Sequence, residues 1–225
     1  MKIALIGYGK MGHAIEALAA ERGHSVTLKL DKDDAWPAEV DADVAIEFST
    51  PATAADNMLR CLEMGVPVVC GTTGWYDRYD EVAEACRKAG GRLLTATNFS
   101  IGMNIMFALN ERLAQLMRGR VEYKTSISET HHIHKLDAPS GTALTLRNQI
   151  VAAGDRSADE IPIESIREGE VPGTHTVVYD SAIDTLTLTH EAHSREGLAL
   201  GAMLAAEYAV GKRGVLTMKE MVCEL

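Results

Sequence analysis

"IALIGYGKMGHAIEAL", residues 3–18, opens as a short apolar run, passes three glycines and continues with apolar residues at helical spacing. Gly7, Gly9 and Gly12 fall in the G-x-G-x-x-G pattern between a strand and a helix, with Tyr8, Lys10 and Met11 in the same loop. In that setting the first glycine permits a tight turn and the second lets backbone approach a pyrophosphate. The third allows close helix packing, and the helix N-terminus favours the phosphate charge. The triplet alone is a weak signal, and a purely structural turn is its competing reading. Asp31 strengthens it: the next strand, "SVTLKL", runs into this carboxylate nineteen positions beyond Gly12, near where an acidic residue takes the adenine-ribose hydroxyls. Lys32 follows directly. A carboxylate favours a free 2′-hydroxyl and an adjacent cation accommodates a 2′-phosphate, so the loop predicts NADH or NADPH, with use of both expected.

Working outward, strands and helices alternate through "DVAIEFS", "ATAADNMLRCLEMG", "PVVCG", "YDEVAEACRKAG" and "RLLTAT". Such alternation requires right-handed crossovers and a parallel sheet, hence a doubly wound α/β Rossmann-like half. Open α/β sheets bind ligands at the carboxyl edge. The segments after the fourth and fifth strands, Gly71, Thr72 and Thr73, then Ala96, Thr97, Asn98 and Phe99, therefore become candidate cofactor contacts. Ordinary turns with capping threonines are the alternative. After Asn98 the pattern changes. A helix, an alternating strand, a second helix and two consecutive strands, "GTHTVVYD" and "DTLTLTHEA", predict an α+β half with an antiparallel or mixed sheet. One face of that sheet is expected under helices and the other free for an oligomer contact. The apolar helix "GLALGAMLAAEYAVG" and the tail suit the flank of the parallel sheet. The expected division is a dinucleotide-binding domain over 1–101 with a return over 198–225, and a substrate-binding domain over 102–197. Hinges are expected near 100–102 and 195–197.

Composition removes several classes. A formal net charge of -10 opposes nonspecific nucleic-acid binding, which needs a basic face to displace counterions. No apolar run approaches the roughly 18 residues of a membrane span, and "MKIALIG" is broken too early for a secretory signal, so a cytoplasmic location is expected. Cys61, Cys70, Cys86 and Cys223 show no C-x-x-C spacing and are read as reduced thiols.

The second unusual stretch is "SETHHIHKLDAPSGTAL", residues 128–144. His131, His132 and His134 suggest a metal, but neighbours on a strand end point to opposite faces, and no zinc signature accompanies them. No metal is expected. Solvated histidines ending a strand are the bland alternative. Against it stands "DAPSGTAL", where Ser-Gly-Thr presents backbone N–H groups at a helix start, an anion site by geometry and dipole. Lys135 lies four residues from His131, so an imidazole, an ammonium and an anion cradle converge in the chain. That combination suggests protonation of a carboxylated substrate. Asp137 either holds Lys135 or fixes the turn. Arg167 and Arg195 either add positive charge to the site or are solvated.

The segment "ETHHIHKLDAPSGTAL" closely resembles the signature of the 4-hydroxy-tetrahydrodipicolinate (dihydrodipicolinate) reductase family. "GTTG", "ATNFSIGMN", "REGEVPGTHTVVY" and "HEAHSREGLALGA" follow in the family's order across nearly the whole chain. The resemblance implies a cytoplasmic homotetramer joined through the sheets of its second domain. It also implies NAD(P)H-dependent reduction of a cyclic imine dicarboxylate, with loss of water, in diaminopimelate and lysine biosynthesis. By motif position it implies that His131 is a proton donor or acceptor and Lys135 a proton donor. His132 would be a substrate contact, Gly141 and Thr142 would hold a substrate carboxylate, and 71–73 and 96–99 would border the nicotinamide. Two departures stand out. The loop "GYGKMG" is one residue shorter than in many relatives, and the connector "DKDDAWPAEVDA" is much shorter than in longer members. The rival readings are a different two-domain dehydrogenase acting on amino acids or sugars, which has no reason to carry the histidine segment, and a noncatalytic dinucleotide sensor, which would carry it disrupted.

Overall fold

A computed structural model describes residues 1–194 and 196–224, and the chain divides into two compact units, Met1–Ser100 with Glu196–Leu225, and Ile101–Arg195. In chain order the elements of the first unit are β1 (Lys2–Ile6), α1 (Lys10–Glu21), β2 (Ser25–Leu30), β3 (Val44–Glu47), α2 (Pro51–Glu63), β4 (Val68–Cys70), α3 (Tyr79–Lys88) and β5 (Arg92–Thr95). The second unit holds α4 (Ile101–Met117), β6 (Lys124–His131), α5 (Gly141–Ala152), β7 (Ile163–Arg167), β8 (Gly173–Asp180) and β9 (Thr185–Ala192). The chain then returns to the first unit with α6 (Glu196–Val210), β10 (Gly214–Leu216) and α7 (Met218–Glu224).

The first unit is built on a six-stranded sheet of order β10-β5-β4-β3-β1-β2, in which every pairing is parallel. β3 and β4 are buried along their whole length because helices cover both faces. On one face α2 and α3 bury Met58, Leu62, Val82 and Cys86 against Ala4, Ile6, Ala45 and Leu93. α1 and α6 pack together, and α6 also lies on β3, β4 and β5. The small residues of α6 explain its fit: Ala199, Gly201, Ala202, Ala205, Ala206 and Ala209 are all buried and let the helix lie close to the sheet. At Gly201 the approach is closest, since a Cβ there would stand 1.7 Å from the Phe99 carbonyl oxygen. The strand order places β2 and β3 on opposite sides of β1, which opens a crevice at the carboxyl ends of the strands.

The second unit has a four-stranded sheet of order β7-β6-β8-β9, with β7 parallel to β6 and the other pairings antiparallel. The mixed sheet agrees with the expectation from sequence, but β7 was not anticipated. Its five residues, IESIR, are short and half polar, as suits an edge strand. β10 was likewise read only as tail. α4 and α5 cover one sheet face, burying Met103, Met106, Leu146 and Ile150 against Ile127, Val177 and Tyr179.

Gly201→Ala tests the tight seating of α6. Overpacking of this kind costs about 1–3 kcal/mol, so the urea midpoint of the variant should fall accordingly. An unchanged midpoint would mean that α6 can move away from Phe99 without loss.

Candidate functional site

In the first unit the carboxyl ends of β1, β2, β4 and β5 carry the candidate cofactor residues. Gly7 has φ +90°, a conformation that favours glycine, and a Cβ there would meet the Phe48 carbonyl oxygen at 2.1 Å. Gly12 is equally constrained, its Cβ position lying 2.7 Å from the Gly7 oxygen. Gly9 differs: it is the N-cap of α1, no side chain caps the helix there, and a Cβ at this position would meet nothing within 4 Å. The first turn of α1 contains no acidic residue. Uncapped N–H groups facing open space fit the pyrophosphate of a dinucleotide. Lys10 and Met11 line an adjoining cleft of about 360 Å³ with Gly71, Thr72 and Thr73. Asp31 and Lys32 line a second cleft of about 400 Å³ with Gly7, Gly9 and Trp36. Both are exposed, and Asp31 accepts the Lys32 N–H at 2.9 Å while its own N–H donates to Asp34 at 2.8 Å.

Several other predicted residues are engaged in contacts within the unit. Tyr8 is bonded through its hydroxyl to Glu16, with Lys29 Nζ 3.3 Å from the same oxygen, so its side chain is tied back to α1 and β2. The Phe99 ring is buried and lies 5.8 Å from the Phe48 ring, which leaves its backbone for any ligand. The Thr72 hydroxyl accepts the Ser49 N–H at 2.8 Å, and Thr72 O accepts Trp75 Nε1–H at 2.8 Å. Thr97 is exposed, the Ala96 N–H donates to Cys70 O at 3.2 Å, and Asn98 Oδ1 accepts the Ser100 N–H at 2.8 Å.

The turn after β3 was missed by sequence reasoning. The Phe48 backbone abuts Gly7, and its ring sits where a Gly71 Cβ would be, at 2.1 Å. Glu47 just before it is fully buried and accepts from Cys70 Sγ at 3.1 Å, from Asn57 at 3.3 Å, and from the Ser49 N–H at 3.2 Å and its hydroxyl. Burial foremost, then the nearby Glu47 carboxylate, pushes the Cys70 thiol far above its ordinary range.

In the second unit β6 ends at His131 and α5 begins at Gly141, so the motif is a strand-to-helix turn. His131 is buried, with its Nδ1 bonded to the fully buried Glu129 carboxylate. Arg167 Nη2 donates to the same carboxylate at 2.9 Å and to Asp137 O at 2.6 Å. Arg167 therefore serves the site, whereas Arg195 lies outside the described residues. Lys135 pairs with Asp137 at 2.8 Å, and the Asp137 carboxylate is also bonded by the Gly141 backbone, so it both holds Lys135 and fixes the turn. That pairing is the main reason the Asp137 carboxyl is held below its usual range. His132 is half-buried, and His134 is exposed with Glu170 3.3 Å away. The α5 start is read correctly as a helix N-terminus. Ser140 is its N-cap, accepting the Ala143 N–H at 3.2 Å, and Gly141 and Thr142 form the first turn.

His175 on β8 was also missed. Its Nε2 lies 3.2 Å from the Ser140 hydroxyl, and its ring stands edge-on to His131 at 5.0 Å between centroids. Burial, and then the charge of His131, pushes His175 down to about 4. Burial also lowers His131, with Glu129 opposing the shift and Lys135 and Arg167 adding to it. Glu129, His131 and His175 bring possible ligand atoms within 4.8 Å of one another. The Arg167 guanidinium on Glu129 and the Ser140 hydroxyl at His175 fit a hydrogen-bond network rather than a cation.

A dinucleotide-type glycine turn in one unit, and an imidazole, an ammonium and a helix N-terminus in the other, fit the class of pyridine-nucleotide-dependent reductases. Family models described as the N-terminus and the C-terminus of dihydrodipicolinate reductase match residues 1–99 and 102–222, and the chain belongs to that family. It is 46% identical to a 4-hydroxy-tetrahydrodipicolinate reductase from Christiangramia forsetii, with 100% of this chain and 99% of that protein covered. A second such reductase, from Thermosipho africanus, is 32% identical over 100% of this chain and 99% of its own length. The solved structure of a dipicolinate-bound dihydrodipicolinate reductase from Paenisporosarcina sp. TG-14 superposes with a TM-score of 0.81 at 21% identity. It covers 96% of this chain and 97% of that one, a likeness in fold.

His175 gives the site a stability signature. A histidine whose folded value lies below its unfolded one binds more protons when unfolded, so stability is present above about pH 6.5 and is lost as pH falls toward 4. Between pH 7.5 and 5 the wild type should lose about 2 kcal/mol more than His175→Gln in urea titrations. Parallel losses in the two proteins would show that His175 does not carry this dependence.

Proposed function

We propose that this chain reduces 4-hydroxy-tetrahydrodipicolinate to tetrahydrodipicolinate with loss of water, using NADH or NADPH, in diaminopimelate and lysine biosynthesis. The observation that carries the reading is the turn from β6 to α5, where His131, Lys135 and the α5 N-terminus lie within one short stretch, in a chain 46% identical to a reductase of that name. The N–H groups that follow Gly9 would hold the pyrophosphate of a bound dinucleotide, and Asp31 and Lys32 its ribose. Gly71 to Thr73 and Ala96 to Phe99 would border the nicotinamide, which would supply a hydride.

The remaining work falls to the second unit. Gly141 and Thr142 at the start of α5 hold a substrate carboxylate by N–H donation and helix dipole. His132 adds a substrate contact. Loss of the substrate hydroxyl together with a proton from the adjacent ring carbon gives water and the conjugated imine. A hydride from the bound nicotinamide and one proton from the Lys135 ammonium would then reduce that imine, so each turnover consumes one hydride and one proton and releases one water. A cation beside the growing negative charge stabilises the transition state before it delivers the proton. The ion pair with Asp137 orients Lys135 for this task. The uncovered face of the second sheet, with Ser126, Thr176 and Thr189 among its side chains, joins copies of the chain into a homotetramer.

Purified protein should oxidise NADH or NADPH when given freshly prepared 4-hydroxy-tetrahydrodipicolinate, and silence with both cofactors would end the proposal. Lys135→Ala should lower kcat by about 10²-fold or more while the Kd for reduced cofactor stays within about twofold. Turnover near that of the wild type would remove Lys135 from the chemistry. At the ribose, the Asp34 carboxylate beside Asp31 opposes a 2′-phosphate, so NADH should be the better cofactor. Asp34→Asn should raise kcat/KM for NADPH relative to NADH, and an unmoved ratio would assign selectivity elsewhere.

A further inference from the structure

Among the described residues, Glu129 is the only carboxylate of the second unit withdrawn from water, and each of its oxygens has its own work. Oε1 accepts from Arg167 Nη2 at 2.9 Å and from the Ser140 backbone N–H at 3.3 Å. Oε2 is bonded to His131 Nδ1. The neighbours come from separate parts of the chain: His131 from the same strand two residues on, Arg167 from β7, and Ser140 from the N-cap of α5.

The hydrogen positions follow from elementary chemistry. An ionised carboxylate only accepts, and the Arg167 guanidinium beside Glu129 favours that ionised form. The hydrogen between Glu129 and His131 must then sit on Nδ1, and a neutral imidazole protonated at Nδ1 carries its lone pair at Nε2. Nε2 has room, because the residue beside it is Gly173, where a Cβ would stand 3.1 Å away. Lys135 and Arg167 are the other charged groups that act on His131, and both oppose a second proton on the ring, while His175 beside it stays neutral.

We propose that Glu129 is a positioning residue that holds His131 in its Nδ1–H tautomer with Nε2 as an acceptor, and that also fixes this imidazole relative to the carboxylate cradle through the Ser140 N–H. The inference rests on the reading of His131 and α5 as parts of the reacting site. It divides the labour within the motif: Lys135 is the proton donor of the reductive step, and His131 enters the cycle as an acceptor. The sequence motif therefore extends one functional position earlier than the paired histidines, to a side chain that never meets the substrate.

The test uses the full chain labelled with ¹⁵N at histidine, together with steady-state kinetics. In the wild type near neutral pH, the His131 resonances should show a protonated Nδ1 and an unprotonated Nε2. Glu129→Gln offers an amide that can donate to Nδ1, so Nε2–H should become populated. kcat should fall tenfold or more while the Kd for NADH changes less than twofold. Losing an orienting carboxylate costs about 10⁴-fold in serine proteases, where the ring takes the wrong tautomer. Glu129→Asp, which keeps the acceptor, should restore the Nδ1–H signal and part of the rate. A wild-type His131 protonated at Nε2, or a folded Glu129→Gln enzyme with undiminished kcat, would overturn the proposal. Should Glu129→Gln fail to fold, the wild-type spectrum still decides. His131→Gln separates the two levels: if that variant keeps turnover, the reading of His131 as part of the site falls and takes this inference with it. If it loses turnover while Glu129→Gln does not, only the inference falls.

Discussion

At Gly7 the chain runs so close to the Phe48 carbonyl that a single methyl group would stand 2.1 Å from its oxygen, and the ligand edge of the first unit is arranged around that contact. Because the turns after β1 and β3 meet backbone to backbone, the Phe48 ring is directed over Gly71 and toward Phe99. The Phe99 carbonyl in turn rests against Gly201 on the helix that returns from the far end of the chain. The rings of Phe48 and Phe99 are thereby taken up in packing, and the turn at Gly9 offers main chain to the crevice. A surface of that kind suits a phosphate, which is read by N–H groups and a helix dipole rather than by a particular side chain. The glycines here are spacing devices, each set by the atom it avoids, and Gly9 alone among the three of the loop faces open space.

The second unit meets the opposite physical problem. It carries charged and titratable groups, several of them removed from water, where each must be surrounded by partners of the right polarity. Burial by itself would raise the Glu129 carboxyl. Interactions with Arg167, Ser165 and His131 outweigh burial and hold it below the ordinary glutamate range. His175 follows the other course and stays neutral, joined to the cap of α5 through Ser140. The cap consequently has two tasks: the Ser140 side chain closes the helix, and its backbone N–H binds Glu129.

What could be read in the chain beforehand was what is local in it. The glycine loop, the parallel alternation and the Ser-Gly-Thr helix start each depend on neighbours a few positions apart, and all three have the form expected. The buried network was not legible because it is made by register between strands. Glu129 lies opposite His175 on β8, and His131 lies opposite Arg167 on β7, the strand that sequence reasoning did not find. Its five polar-leaning residues carry little periodic signal, so the pairing that brings in Arg167 was invisible with it. One clue was available: Glu129 and His131 are two apart on a strand and must share a face. The Phe99 ring shows the converse limit, since a residue at the right strand end still turned its side chain toward the core.

The buried carboxylate at the end of β3 has a further effect on the thiol beside it. Cys70 donates to Glu47 and is pressed toward the protonated form, while Cys61 and Cys86 are also buried, and Cys223 on α7 is exposed. Thiolate is the nucleophile that attacks alkylating reagents and disulfides. The crevice edge of this reductase is thereby insulated from the thiol chemistry of its surroundings, and the chain offers a maleimide dye one natural attachment point, on a terminal helix.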